Sequence, residues 1–526
     1  MYGENDLMDK VSVPIRWLTM LLLAVPVSFY VVWSLRWPLI GDASLMHYVA
    51  FLMDHGRAPY REIFDINFPG AYLPDWLVMH TLGPGDLAWR VYDLLASCVI
   101  ALAMFSIAGR RNIFAVAWAS MIFVLIHGRD GLEQSGQRDF TVAMLLMVGV
   151  AALLRGVGRR TMWMVALFGA CIGAAAMIKP TAYLLLLLVF VGQRGSEKIA
   201  WRSVVTAFGA SLLPVAITLL WLLRHHALAA FLSAMQDLAS YHGLGRRPIR
   251  FLLQHSFSPI LELVGVWLLL VIARKIWARG FSEEALPVER RVLSVAAILC
   301  LITYVVQGKG YPYHRYSLLV FVLLAIALDL SAMLKEARVW RMTALGVFLA
   351  SSILIGPISA MLIGRYEWRA PGIDESVAED LRELSKELGE SDLSNHVQCL
   401  DMVSGCVNAL YDLRVVQSTR FVSDEFLFHA ADMPPVSRAR KEFLKEVQDD
   451  PPQIFVVTDF LFPDGPGEYG KLKNWPQFTD WLEQRYSLVF QRPERAAVRI
   501  GGPKKIPAGY RIYVERSVAG NVLDGP

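Results

Sequence analysis

The sequence predicts a polytopic α-helical membrane protein of about eleven transmembrane helices followed by a C-terminal extracytoplasmic α/β domain. Hydrophobic residues make up 55% of the 526, and the mean hydropathy is +0.42, so length is a poor guide to domain number here. Apolar runs approaching the roughly 20 residues needed to cross a bilayer recur from Val13 to about Gly364 and then stop. From Arg365 to Pro526, charged helical stretches alternate with short β-branched and aromatic runs. The expected boundaries are a membrane domain over 1–364, with its first exterior loop at 41–86, and a soluble α/β domain over 365–526.

In order, the expected spans are Ile15 to Ile40, Leu87 to Ala108, Ile113 to His127, Phe140 to Leu154, Met162 to Ile178, Thr181 to Val191, Val204 to Leu223, Phe257 to Ala273, Val292 to Val306, Tyr316 to Leu334 and Met342 to Ile363. The sixth is short. Alternate connections are basic: Arg110 and Arg111; Arg155, Arg159 and Arg160; Arg194, Lys198 and Arg202; Arg274, Lys275, Arg279, Arg290 and Arg291; Lys335, Arg338 and Arg341. Positive connections face the cytoplasm, which puts the N-terminus of this multi-pass protein inside and the C-terminal domain outside. The first span lacks a convincing cleavage site and is expected to be retained. The formal charge of +4 follows from this loop asymmetry and does not point to nucleic acid.

Between the first two spans, Ser44 to His55 has the apolar rhythm of a helix lying on the membrane surface. Ala227 to Leu238 is also amphipathic. In the tail, Glu375 to Leu388 and Ser437 to Gln448 read as helices, and Ile454 to Thr458, Tyr486 to Phe490 and Tyr510 to Glu515 as strands. Cys98, Cys171 and Cys300 fall in apolar spans and suit packing. Cys399 and Cys406 fall in the exterior tail, where a disulfide forms if the chain turns back between them. His225, His226 and His242 lack the further spaced ligands of a metal site.

Four groups of polar residues fall on the expected exterior side. The first contains Asp42 and the run His55-Gly56-Arg57-Ala58-Pro59-Tyr60. The second is Glu133 to Asp139, the third Lys179-Pro180, and the fourth Gln307-Gly308-Lys309-Gly310-Tyr311-Pro312-Tyr313-His314-Arg315. A carboxylate held at the membrane edge is costly, so Asp42 marks a functional position. Asp is also a favoured helix cap, a role open to both Asp42 and Asp139. Lys179 alternatively suits a helix end with its ammonium in the headgroup layer. A carboxylate can act as general base on a hydroxyl, and Lys, Arg and His can neutralise a departing phosphate.

On these residues the chain resembles the GT-C glycosyltransferases, in the bacterial group related to protein O-mannosyltransferases and the lipid A aminoarabinose transferase. The motifs carrying the resemblance are the Asp after the first span, His55 to Tyr60, Gly136-Gln137-Arg138-Asp139, Lys179-Pro180 and Gln307 to His314. It implies a GT-C-like fold, a polyprenyl-phosphate-linked sugar donor, inversion at the anomeric carbon, and a glycan, lipid or protein acceptor. Asp42 then maps to the base and Asp139 to a second acid at the sugar. Lys179, Lys309, His314 and Arg315, with Tyr313, Arg138, Arg57 and Tyr60, become candidates for donor phosphate and substrate. Two departures stand out: Ala43 follows Asp42 where a second acid is common, and the first loop reads Asn67-Phe68-Pro69 in place of Lys-Pro-Pro. No cofactor is expected; paired acidic metal ligands are missing, and divalent-metal dependence stays open. A polymerase or ligase using a lipid-pyrophosphate oligosaccharide, and a transporter or flippase of lipid-linked sugar, are the competing readings.

Overall fold

A computed structural model describes residues 2–134, 136–159, 161–192, 201–243, 245–277, 287–367, 373–402, 404–430, 432–462, 465–493, 496–499, 502–505 and 509–518. Arg160, Arg194, Lys198, Arg279 and the side chain of His242 lie outside the described residues. The chain forms two compact units, one of Met1–Trp37, Asp86–Thr218 and Arg246–Glu367, the other of Pro38–Gly85, Leu219–Gly245 and Trp368–Pro526.

The first unit is a helical bundle. Among the described residues, seven helices are long and apolar enough to span a bilayer: Val11–Ser34, Asp86–Ala108, Arg110–Asp130, Arg138–Val157, Trp201–Arg224, Pro312–Met333 and Arg338–Arg365. The bent pair Ile249–Ser256 and Leu261–Trp277, angled by 75°, makes eight if it counts as one span. Met162–Ile178, Pro180–Val191 and Pro287–Gln307 carry the remaining expected segments. The sixth expected span is not a regular one. Pro180–Leu187 forms a 3-10 helix that runs into the single α-turn Leu188–Val191, and at about 1.5–2.0 Å per residue it falls short of the ~30 Å hydrocarbon layer.

Burial explains the composition of individual helices. Tyr316–Met333 is apolar all round because nearly every residue of it is buried in the bundle core. Trp201–Arg224 instead exposes Leu212, Leu213, Ile217 and Leu220, a surface suited to lipid. Its other face packs closely on Met162–Ile178. A Cβ at Gly169 or Gly173 would overlap the carbonyls of Ala207 and Ser211, so glycines four residues apart allow the two backbones to approach. Gly173→Ala is therefore expected to cost about 1–3 kcal/mol through overpacking, measured as a lower unfolding temperature in detergent. Gly209→Ala on the same pair of helices, where a Cβ meets open space, should leave that temperature unchanged.

The second unit is α/β. Its four-stranded sheet runs in the order Val397–Leu400, Ile454–Thr458, Tyr510–Glu515, Tyr486–Arg492. The first pair is parallel, with Val397 opposite Ile454, and the other two are antiparallel. Both parallel strands are buried along their whole length, as their near-continuous apolar sequence requires. Helices Ile373–Leu388 and Pro434–Asp449 each contribute one apolar face to the cores beside the sheet. Cys399 in the first strand is disulfide-bonded to Cys406, the first residue of helix Cys406–Leu413. The Asp401 carboxylate accepts from the amides of Ser404, Gly405 and Cys406 at 3.0–3.1 Å, satisfying that helix start.

The first loop belongs to this unit and corrects one expectation. Asp42–Asp54 is a helix, but every residue from Ala43 to Leu52 is buried, so it does not lie on a membrane surface with one face in water. Its polar side chains find partners within the protein. The Tyr48 hydroxyl donates to Val415 O at 3.1 Å and accepts from the Gln417 amide at 2.8 Å. His47 pairs with Asp75 at 2.6 Å, with neither exposed. The second expected amphipathic segment is the helix Leu228–Gly243, which adds Ala234 to the same core.

Candidate functional site

Three of the four polar groups converge at one end of the first unit. Asp139 is the second residue of helix Arg138–Arg159. Lys179 terminates Met162–Ile178, in extended backbone just before Pro180 opens the 3-10 helix. Gln307 ends Pro287–Gln307, and His314 lies in the short 3-10 turn Pro312–Arg315. The Lys179 ammonium is ion-paired with Asp139 Oδ1 and donates to Gln307 Oε1 at 3.2 Å. It also stands 5.8 Å from the centre of the Tyr313 ring. Asp139, Lys179, Gln307 and His314 line one pocket with the apolar Val142, Leu146, Ala182 and Leu185. Asp139 Oδ2 is buried there and has no hydrogen-bond partner among the described residues, an acceptor atom that a substrate hydroxyl could satisfy.

The Gln307–Arg315 loop is shaped by its glycines. Gly308 and Gly310 have φ of 73° and 72°, conformations that glycine adopts without strain. The Arg246 side chain lies over Gly308, and the Arg247 amide donates to the Gly308 carbonyl at 2.8 Å. Lys309, between the glycines, is buried. Arg315 is also buried and pairs with Asp130 at 2.5 Å. Arg138 adjoins Asp139.

Beside this loop lies a buried network that none of the four polar groups contains. His127 Nε2 and Asp93 Oδ2 are 2.9 Å apart, and His127 Nδ1 is 3.0 Å from the Tyr316 hydroxyl. Arg90, also buried, stands 3.8 Å from Asp93. The signal was present, since Arg90, Asp93 and His127 interrupt apolar spans, and ionisable groups there mark functional or paired positions. Arg246 and Arg247, which meet Gly308, carry no role among the sequence motifs either.

Asp42, Arg57 and Tyr60 lie in the second unit. Gly41, with φ of 61°, caps the helix, and Asp42 is its first residue. The carboxylate is thus in the first turn, where the helix dipole favours it, rather than at the cap position itself. Arg57 donates to Asn395 Oδ1 at 2.8 Å. The buried Tyr60 donates to the Asn67 carbonyl at 2.6 Å, and burial pushes its hydroxyl pKa well above the ordinary tyrosine value. Among the described residues, no group of three or more His, Cys, Asp or Glu side chains is placed to hold a metal ion.

A helical membrane bundle with a charged pocket at its helix ends, carried together with an α/β unit on one chain, defines a polytopic membrane protein. Among solved structures it shares the fold of ArnT from Cupriavidus metallidurans bound to undecaprenyl phosphate, with a TM-score of 0.57 at 13% identity over 96% of this chain and 98% of that one. The apo form of the same ArnT gives the same values, a TM-score of 0.57 and 13% identity. The Archaeoglobus fulgidus oligosaccharyltransferase in complex with Zn and sulfate is more distant, with a TM-score of 0.49 and 12% identity over 92% of this chain and 73% of that chain. No protein-family model and no curated protein sequence matches the chain.

Proposed function

We propose that this protein is a membrane glycosyltransferase that moves a sugar from a polyprenyl-phosphate donor to an extracytoplasmic glycan, lipid or protein acceptor. The observation that carries the reading is Lys179, a cation held by a buried carboxylate in a pocket that is half apolar. Such a site suits a phosphate attached to a lipid. The likeness to a fold solved with undecaprenyl phosphate bound supports it.

In this reading the acceptor hydroxyl attacks the anomeric carbon and Asp42 takes its proton. The bond from that carbon to the phosphate oxygen breaks, its electron pair stays on the phosphate, and polyprenyl phosphate leaves with inversion at the sugar. Lys179 and His314 meet the phosphate, where negative charge develops. Asp139 orients Lys179 through Oδ1 and presents Oδ2 to a sugar hydroxyl. Lys309, Arg315, Arg138 and the Arg246–Arg247 pair supply positive potential around the loop. Tyr313 gives Lys179 an aromatic face, while Arg57 and Tyr60 hold the first loop in shape. The enzyme sits in the bacterial inner membrane, with the N-terminus cytoplasmic and the α/β unit outside, and donor reaches it laterally from the lipid.

The test is release of polyprenyl phosphate from a panel of labelled polyprenyl-phosphate sugars by the purified protein, with cell-envelope extract as acceptor and with or without EDTA. Release from one donor by wild type identifies the sugar, and the EDTA arm decides metal dependence. No release from any donor by folded protein overturns the proposal; turnover of a lipid-pyrophosphate oligosaccharide would assign a polymerase or ligase, and movement across vesicles without bond cleavage a transporter.

A further inference from the structure

The segment leading into Asp42 is gripped from a distant part of the chain. Asn408, on helix Cys406–Leu413, is buried, and its Nδ2 donates both to the Leu39 carbonyl at 3.1 Å and to Asp374 Oδ2 at 2.5 Å. Leu39 precedes Asp42 by three residues. One side-chain amide therefore ties the approach to the helix Asp42–Asp54 onto the start of helix Ile373–Leu388. The anchor itself is stiff. Cys406 is bonded to Cys399 in the sheet, Asp401 holds the amides before the helix, and a Cβ at Gly405 would stand 2.7 Å from Ile373 Cγ2 and 3.0 Å from the Asp374 amide. Burial pushes the Asp374 carboxyl up to about 6, and the Asn408 hydrogen bond works against that rise.

Farther along the Asp42–Asp54 helix, Tyr48 is fastened to Val415 and Gln417. Tyr48 thus fastens the middle of the helix to the tail, and the Asn408 amide ties the chain just before Asp42 to it as well. We infer that Asn408, backed by Asp374, is a positioning residue that sets where the Asp42 carboxylate stands, so that the C-terminal domain acts as a rigid clamp on the base of the transferase. The inference rests on the glycosyl-transfer reading above and goes beyond it by giving the tail domain a part in catalysis.

A sub-ångström to one-ångström error in a reacting group can cost up to about 100-fold in rate. Asn408→Ala should accordingly lower kcat by about 10- to 100-fold with the donor KM little changed, and hydrogen exchange over residues 39–45 should quicken. Because loss of the amide also takes the Asn408 donor from the buried Asp374 carboxylate, a second variant separates clamp from fold. In Asp374→Asn/Asn408→Asp, the side chains at 374 and 408 can still bond to each other with donor and acceptor reversed, but Leu39 O loses the Asn408 donor. The expected result is near-wild-type unfolding temperature with fast exchange at 39–45 and low kcat. Wild-type exchange and wild-type kcat in the reversed pair would overturn the inference, as would rapid exchange with unchanged kcat. If wild type transfers no sugar, the glycosyltransferase reading fails on that control alone, and the exchange measurement still reports whether Asn408 holds the segment.

Discussion

Asp42→Asn is expected to lower kcat by about 10²- to 10⁴-fold, the range supplied by a positioned general base, while the protein stays folded. The two side chains are nearly isosteric, and the position is the first of a helix whose next ten residues are buried and packed. Removing a carboxylate from the first turn forfeits about 0.3–1 kcal/mol of favourable interaction with the helix dipole, too little to unfold the unit. If Asp42 serves only that local purpose, the variant loses this increment of stability and keeps its turnover. Asp42→Glu sharpens the distinction. It preserves the charge beside the helix start, so a structural role predicts wild-type behaviour, whereas a base displaced by one methylene should lose rate in kcat rather than in KM. Polyprenyl phosphate release at saturating donor, measured alongside thermal unfolding, reads both quantities.

The parts of this molecule that the sequence exposes are those in which neighbours in space are neighbours in the chain. A span is a contiguous apolar run, and helices such as Asp86–Ala108 and Arg138–Arg159 are visible for that reason. The strands Ile454–Thr458 and Tyr510–Glu515 announce themselves similarly, by β-branched and aromatic runs. Polar residues of the site could be named one at a time, but Lys179 meets Asp139 across 40 residues and Gln307 across 128, and only bundle packing decides such pairings. The helix after Asp42 shows the opposite failure. Ser44 to His55 has the rhythm of a surface helix, yet His47 pairs with Asp75, and Ser44 and Tyr48 bond to the Gly41 carbonyl and the Val415–Gln417 backbone, inside a core. A polar residue with a distant partner cannot be told from a solvated one by periodicity alone.

That same dependence on partners governs what replacing Lys179 should do. Asp139 and Lys179 side chains are 5% and 16% exposed, and removing one member of a buried ion pair costs about 3–5 kcal/mol because the other charge is left uncompensated. Lys179→Met alone is therefore expected to destabilise the bundle, and lost activity in it would carry little meaning. Lys179→Met/Asp139→Asn removes both charges at similar volume, so its unfolding temperature in detergent should recover most of that loss. Turnover should not recover. If a phosphate departs in this pocket as proposed, its developing negative charge loses the Lys179 ammonium, and a decrease of about 100-fold or more is expected from losses of this kind in transition-state stabilisation. Lys179→Arg keeps the charge but replaces a compact ammonium with a planar fork; it should retain the ion pair to Asp139 and turn over more slowly than wild type, yet faster than the double variant. A double variant as stable and as active as wild type would make the pair purely structural and remove the phosphate role from Lys179, leaving His314 and the glycine-flanked Lys309 loop to meet the donor.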